Sequence, residues 1–282
     1  MKNNGLCRER HFFLEAKGKA IYCVEYLPED ALDNRCGVIL CKPIWGERIR
    51  THRIFTNLAN MLASQGFSVI TCDYYGDGNS GGETQDLTYS GMVEDVELIY
   101  DYLSDQRDPA AMMVVGLRLG ARCALSVNSR LPKVMKTILI EPVPNILDYL
   151  KDALRANLTS QMAIHKKIVR NREKLIEDLK AGILINIDGF VIGKRFWESF
   201  ESASGMKISE GLNGSFVVFS LVDQRGKSTD YTGLFSRLEN VRFEKIPKEF
   251  TWTDWKYYVP RPPILFEKVL QEINSDQVTG RG

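Results

Sequence analysis

Met112-Met113-Val114-Val115-Gly116-Leu117-Arg118-Leu119-Gly120-Ala121-Arg122-Cys123-Ala124 runs from an unbroken apolar segment, through Gly-x-Arg-x-Gly, into small residues. Four apolar residues without alternation suit a strand covered on both faces. The two glycines let backbone approach backbone around a sharp turn, and the small residues then open a helix. Upstream, Cys36–Cys41 and, after Gly66, Phe67–Cys72 read as strands of the same buried kind. Downstream, Val134–Ile140, Gly214–Leu221 and Val241–Ile246 continue the series. His11–Ala16 and Ala20–Tyr26, joined at Lys17-Gly18-Lys19, form the first strands. Helical spacing marks Thr51–Ser64, Tyr89–Leu103, Leu119–Asn128, Tyr231–Leu238 and Ile264–Ile273. Strand and helix in alternation, with short connections, predict right-handed crossovers and a doubly wound, mostly parallel α/β sheet.

One stretch breaks the rhythm. Residues 145–213 read as mostly helical, with Lys166, Lys167, Arg170, Arg172, Glu173 and Lys174 and a short apolar piece at Gly182–Ile187. Lying between two sheet strands, the segment is expected to fold over one edge as a cap, leaving 1–144 and 214–282 as the core. Its basic run reads as a solvated helix face. Ser275–Gly282 reads as a frayed tail.

The balance of 37 basic and 36 acidic side chains argues against the basic field that nucleic-acid binding needs. No apolar run approaches the ~18 residues of a bilayer span. Met1–Arg10 is not followed by the apolar region of a signal peptide, so a cytoplasmic protein without membrane insertion is expected. Cys7, Cys23, Cys36, Cys41, Cys72 and Cys123 lack paired spacing and read as reduced, buried thiols. No metal-ligand spacing is visible. The glycines at 76, 78, 81 and 82 precede the next helix by too much to cradle a dinucleotide, so no cofactor is expected. That cluster, with Asp77 and Ser80, reads as a tight turn held by side-chain-to-backbone bonds.

In such sheets ligands sit beyond the carboxyl ends of the strands. Segments 42–47, 73–82, 116–120 and 223–225 all arrive there. Strand, turn and helix around Arg118 have the form of a nucleophile elbow. The chain resembles the α/β-hydrolase superfamily, and within it the serine-aminopeptidase-like hydrolases associated with exosortase A systems. The matching residues are Pro43-Ile44-Trp45-Gly46-Glu47 with Arg53, Gly66-Phe67-Ser68-Val69, residues 73–82, Gly116-Leu117-Arg118-Leu119-Gly120-Ala121 and Ile187-Asp188-Gly189-Phe190. The resemblance implies a serine, an acid and a histidine, in that order, beneath a lid.

This chain departs from that pattern. Arg118 occupies the serine's place, and a guanidinium is neither nucleophile nor base. The histidine belongs near Pro247–Lys256, yet none occurs after His165. Asp223 alone matches the acid position.

Arg118 instead offers a planar cationic fork at a helix start, where free N–H groups already favour anions. The backbone N–H of Leu119, with one from Ile44 or Trp45, completes an anion pocket. The other reading has Arg118 pair with Asp223, Asp73 or Glu47 and close a dead site. His52 reads as a surface residue that reaches the pocket mouth only if its helix turns that way.

Three functions follow from these residues. The first is binding of a small anionic or acyl ligand under the cap without serine hydrolysis. The second is acyl hydrolysis or transfer with another nucleophile, Cys41 or Cys72. The third is a non-catalytic scaffold that docks a protein of a surface-polysaccharide or sorting system through the cap.

Overall fold

The computed structural model describes residues 7–204, 211–252 and 259–275. Strands β1 (Arg8–Ala16) and β2 (Lys19–Leu27) form an antiparallel hairpin whose turn residues, Lys17 and Gly18, both have positive φ. The chain continues through β3 (Cys36–Cys41), α1 (Trp45–Ser64), β4 (Phe67–Cys72), α2 (Tyr89–Arg107), β5 (Ala111–Leu117), α3 (Leu119–Val127) and β6 (Val134–Ile140). Helices α4 (Ile146–His165) and α5 (Arg172–Lys180), the hairpin β7 (Ile185–Ile187) and β8 (Phe190–Ile192), and α6 (Lys194–Ser204) come next. Strands β9 (Ser215–Val222) and β10 (Val241–Pro247) and helix α7 (Pro263–Ser275) complete the described chain.

The eight-stranded sheet has the order β1-β2-β4-β3-β5-β6-β9-β10. From β4 to β10 every pairing is parallel, and β2 joins β4 antiparallel. This is the expected α/β architecture. Strands β3, β4 and β5 are almost wholly buried because helices cover both faces, which is why their sequences show no alternation. Residues of α1 and α7 pack in one core cluster and those of α2 and α3 in the other. The chain runs from β3 outward to β4, then returns to place β5 on the other side of β3. The carboxyl ends of β3 and β5 therefore flank the point where strand order reverses, and a crevice opens there.

Three expectations change. Helix α1 begins at Trp45, six residues ahead of Thr51, with Glu47 in its first turn, where a carboxylate suits the positive end of the helix. Tyr231–Leu238 is a run of turns rather than an α-helix, although Tyr231 and Phe235 are buried as its spacing requires. Part of the apolar piece Gly182–Ile187 pairs as a strand of the β7–β8 hairpin, through a turn with Asp188 and Gly189 at positive φ. The tail beyond Ser275 lies outside the described residues. Among the described residues no helix is long and apolar enough to cross a membrane, and no group of three His, Cys, Asp or Glu is placed to hold a metal ion.

Candidate functional site

Strand β5 ends at Leu117 and α3 begins at Leu119, so Arg118 alone makes the bend, at φ 55° and ψ −118°. That backbone conformation costs a non-glycine residue ~1–3 kcal/mol, and such residues cluster where function demands them. The surroundings hold it: Arg118 N donates to the Ile140 carbonyl at 3.0 Å, and its carbonyl accepts from Arg122 N at 3.3 Å and Val143 N at 3.4 Å. At Gly116 a Cβ would stand 2.5 Å from Ala121 Cα, so α3 can fold back on β5 only where the side chain is a hydrogen.

Trp45 makes a second bend, at φ 55°, and opens α1 directly after Ile44. Ile44, Trp45, Glu47 and Arg118 line one cleft of about 620 Å³. Val143 and Pro144, after β6, continue its wall. Tyr149, Ala153 and Ala156 of α4 and Ile187 of the hairpin bound it on the inserted side, and Trp252, beyond β10, closes another. The Trp45 indole stacks on Phe190 and Phe196, tying the bend to the inserted segment.

The Arg118 guanidinium enters this cleft under three restraints. Its Nε donates to Glu47 Oε1 at 3.3 Å, and Nη1 makes a long bond, 3.4 Å, to the Glu141 carbonyl. Its Cζ lies 4.6 Å from the Trp252 ring centroid and 5.9 Å from that of Tyr149. A cation within ~6 Å of a ring face is attracted by the ring's quadrupole. Among the described residues Nη2 makes no hydrogen bond to the protein. Burial pushes the Glu47 carboxyl above its ordinary value, and the Arg118 charge, its hydrogen bond and the Tyr149 hydroxyl offset that only in part. Arg50 lines the same wall and donates to the Trp252 carbonyl at 3.1 Å.

Of the three carboxylates considered for Arg118, the structure chooses Glu47. Asp73 is buried against Lys42, with Nζ to Oδ1 at 2.6 Å. Asp223 does not line the Arg118 cleft. Its Oδ1 accepts the backbone N–H of Arg225 and of Lys227, both at 2.9 Å, and the Lys227 N–H is the main reason its carboxyl lies below the usual range. Asp223 therefore holds its own loop, beside a separate hollow shared with Lys248 and Phe250. The acid position read from the sequence is thus occupied by a turn-forming aspartate facing elsewhere. Leu119 opens α3 with its side chain fully buried and is not among the residues lining the cleft, whereas Ile44 and Trp45 are.

His11, His52 and His165, the three histidines of the chain, are exposed, and none lines the cleft. Cys41 and Cys72 are buried, and burial pushes the Cys41 thiol up to about 12 and Cys72 well above its ordinary value. A thiol so placed does not supply a thiolate at neutral pH. The 73–82 turn is built as expected. Ser80 Oγ donates to the Asp73 carbonyl at 2.5 Å and accepts from Tyr22 N at 2.8 Å, while Asp77 forms an ion pair with Arg48 at 2.9 Å.

Sequence reasoning missed Tyr149, Trp252, Arg50 and Glu141. Trp252 had a signal, since it stands in the segment after the last strand where the resemblance puts a histidine. The Glu141 carboxylate accepts from Leu221 N at 2.5 Å and from the Tyr231 hydroxyl at 3.0 Å, which fixes the backbone that Arg118 Nη1 approaches. Nothing in the sequence marked Tyr149.

The cleft sets the Arg118 and Arg50 guanidiniums among the Glu47, Asp148 and Asp152 carboxylates, and Arg118 is the group at the bend that can meet an anion. The start of α1 and the Arg118 charge meet there, beside a wall that is apolar except for Asn145, Arg50 and the carboxylates.

Comparison with protein-family models matches residues 48–182 to the serine aminopeptidase family S33. No curated protein matches the sequence. Among solved structures, Est1E from Butyrivibrio proteoclasticus bound to ferulic acid superposes with a TM-score of 0.70 at 14% identity, over 95% of this chain and 99% of that one. Proline iminopeptidase from Mycobacterium smegmatis gives 0.57 at 14% identity, over 97% and 100%. A Xanthomonas campestris protein described as an α/β serine hydrolase without a lid gives 0.59 at 14% identity, over 96% and 97%. The chain has the α/β-hydrolase fold, with an arginine at its strand–turn–helix bend.

Proposed function

We propose that this protein binds a small anionic or acyl ligand, a carboxylate with an apolar body, between the inserted helices and the sheet, without conventional serine hydrolysis. One observation carries the reading. The residue at the bend is a cation whose Nε is engaged by Glu47 and whose Cζ lies over the Trp252 ring, while Nη2 makes no hydrogen bond among the described residues. Glu47 pairs with the guanidinium through one bond, at 3.3 Å, rather than side-on through two, which leaves part of the planar fork for a second carboxylate. With no serine at the bend and no histidine after residue 165, proton relay of the usual kind is absent from the sequence. The burial of Cys41 and Cys72 speaks against a substitute thiol nucleophile. The ferulic acid on Est1E, an aromatic carboxylate, has the chemistry that the Trp45, Tyr149, Trp252 and Arg118 wall would accept. A cytoplasmic setting and kinship with the exosortase-associated branch, on the Gly-Leu-Arg-Leu-Gly elbow, belong to the same proposal.

The test is calorimetric titration with octanoate, cinnamate and phosphate, alongside turnover of short p-nitrophenyl esters. Binding of at least one carboxylate without ester turnover is expected. Arg118→Ala is expected to weaken it by about tenfold to a hundredfold, the worth of one or two charge-assisted hydrogen bonds. Glu47→Gln, which removes the competing carboxylate, is expected to strengthen it. Ester turnover that vanishes on mutating Cys41 or Cys72, or affinity indifferent to Arg118, would overturn the reading.

A pH dependence follows from the raised Glu47 carboxyl. Its proton returns at higher pH than on an ordinary glutamate, and a neutral Glu47 releases Arg118. Affinity for octanesulfonate, whose charge does not titrate, is therefore expected to rise as pH falls through that range. In Glu47→Gln the rise should disappear.

A further inference from the structure

The far end of α4 carries a second feature, independent of the cleft. Residues 162–170 are nine consecutive exposed positions, spanning the last turn of α4 and the loop into α5. Four of them are aliphatic or thioether side chains open to solvent: Ile164 at 72% exposure, Val169 at 58%, Ile168 at 51% and Met162 at 46%. Scattered exposed apolar residues mean little, but four within eight positions form a patch. Residues 160–172 hold Lys166, Lys167, Arg170 and Arg172 and no acid. Arg170 and Arg172 have carboxylate partners in Asp178 and Glu173. Among the described residues Lys166 and Lys167 have none.

The tip is built, not frayed. Gln161, itself buried, accepts the N–H of Val169 at 2.7 Å and of Arg170 at 2.8 Å on Oε1, and donates from Nε2 to the Arg170 carbonyl at 2.9 Å and to Asn157 Oδ1 at 2.8 Å. One amide thus pins the loop to α4 with Ile168 and Val169 open to solvent. Lys166, at φ 58°, ends α4 and sets the turn.

We propose that this tip docks on an anionic lipid bilayer surface. The apolar residues of the tip include no aromatic anchor of the kind that fills a pocket on a protein partner, and lysines without a carboxylate among the described residues sit between them. A bilayer suits that combination: aliphatic tips enter below the phosphate level while lysine stems keep their charges among the headgroups. Juxtaposed basic residues add attraction to anionic lipid within a Debye length. The same helix walls the cleft as far as Ala156, and the rise from there to Ile164 is about 12 Å along α4. Docking would therefore hold the cleft close to the lipid surface without inserting a span.

The experiment is co-sedimentation of the full chain with phosphatidylcholine vesicles, with and without phosphatidylglycerol, at low and high salt. Binding only to the phosphatidylglycerol vesicles, lost as salt rises, is expected. The double variant Lys166→Glu with Lys167→Glu should lower it by about tenfold or more, given the attraction each basic residue adds near an anionic surface. The triple variant Ile164→Ser, Ile168→Ser and Val169→Ser should lower it as well, while Lys17→Glu, in the β1–β2 turn, should not. No binding to anionic vesicles overturns the proposal, and so does binding indifferent to both tip variants. Equally tight capture by soluble polyglutamate would replace the lipid with an acidic protein partner. The vesicle and salt comparison on the unmodified protein decides the matter even if a variant misfolds.

Discussion

Gly120→Ala is expected to destabilise the protein by about 3 kcal/mol or more, the upper range for forcing an extra carbon into a packed interior. Two effects oppose each other at this position. Gly120 lies inside α3 with ordinary helical dihedrals, and on propensity alone alanine would be better there by ~1 kcal/mol. A Cβ at 120, however, would stand 2.2 Å from the Cys41 carbonyl oxygen and 2.5 Å from that of Lys42. Both are backbone atoms at the end of β3, so no side chain can swing aside, and either α3 or the loop carrying Ile44 and Trp45 must shift. Sterics therefore outweigh propensity. Urea denaturation should show the midpoint fall, with Gly233→Ala, where a Cβ meets nothing within 4 Å, as the neutral comparison. A Gly120→Ala protein as stable as the unmodified one would mean that α3 does not approach β3 this closely, and the placement of Arg118 would fall with it.

That glycine also shows what was legible in the sequence. Gly-x-Arg-x-Gly between an apolar run and small residues reports a local steric demand, and local demands leave local marks. The buried strands were readable for the same reason, since coverage on both faces erases alternation. The start of α1 was not, because Trp45-Gly46 is a poor helix opening in isolation. Trp45 is held there by Phe190 and Phe196, which arrive from far along the chain. Tyr231 and Phe235 have helical spacing, but bury their rings from a series of turns. At the site, Glu47 was readable only as one of three partners for Arg118, with Asp73 and Asp223, because all three lie beside strand ends that the topology brings together, and the sequence does not choose among them. Tyr149 and Trp252 reach the same cleft from an inserted helix and from the loop after the last core strand, with no spacing rule to connect them. Asp223 stood at the right distance along the chain, yet the N–H groups of its own loop claim it. The lysines at 166 and 167 read as a solvated face, and only the exposure of their aliphatic neighbours gives them a further meaning.

Lys42→Met is expected to cost about 3–5 kcal/mol, the penalty for leaving a buried charge without its partner. Lys42 Nζ and Asp73 Oδ1 stand 2.6 Å apart, with both side chains almost fully buried, where β3 and β4 end. The other carboxylate oxygen accepts from Asn79 N at 2.9 Å, and a Cβ on Gly78 would stand 2.2 Å from it, so the whole 73–82 turn is folded around this carboxylate. Burial pushes the Asp73 carboxyl up, but the Lys42 charge, its hydrogen bond and the Asn79 N–H outweigh burial and hold it below the usual range. A carboxyl lowered in the folded state contributes stability that is complete above its unfolded value, near ~3.9, and is lost as pH falls through the folded value. In the variant, burial acts without the ammonium, the shift reverses, and the ionised carboxylate becomes a liability at neutral pH. The gap between the two proteins should thus be widest near neutrality, begin to narrow as pH falls through the variant's raised value, and go on narrowing down to the lowered value of the unmodified protein. Thermal unfolding across that range measures it, and a gap that does not change with pH would show that packing rather than charge makes Lys42 matter. The pair also bears on recognition. The variant keeps the bond from the Tyr74 hydroxyl to the Lys42 carbonyl, at 3.0 Å, but loses the tie from the ammonium to Asp73 that joins the 73–82 turn to the strand end from which Ile44 and Trp45 depart. Lys42→Met should accordingly weaken carboxylate binding at Arg118 even at temperatures where the variant is folded.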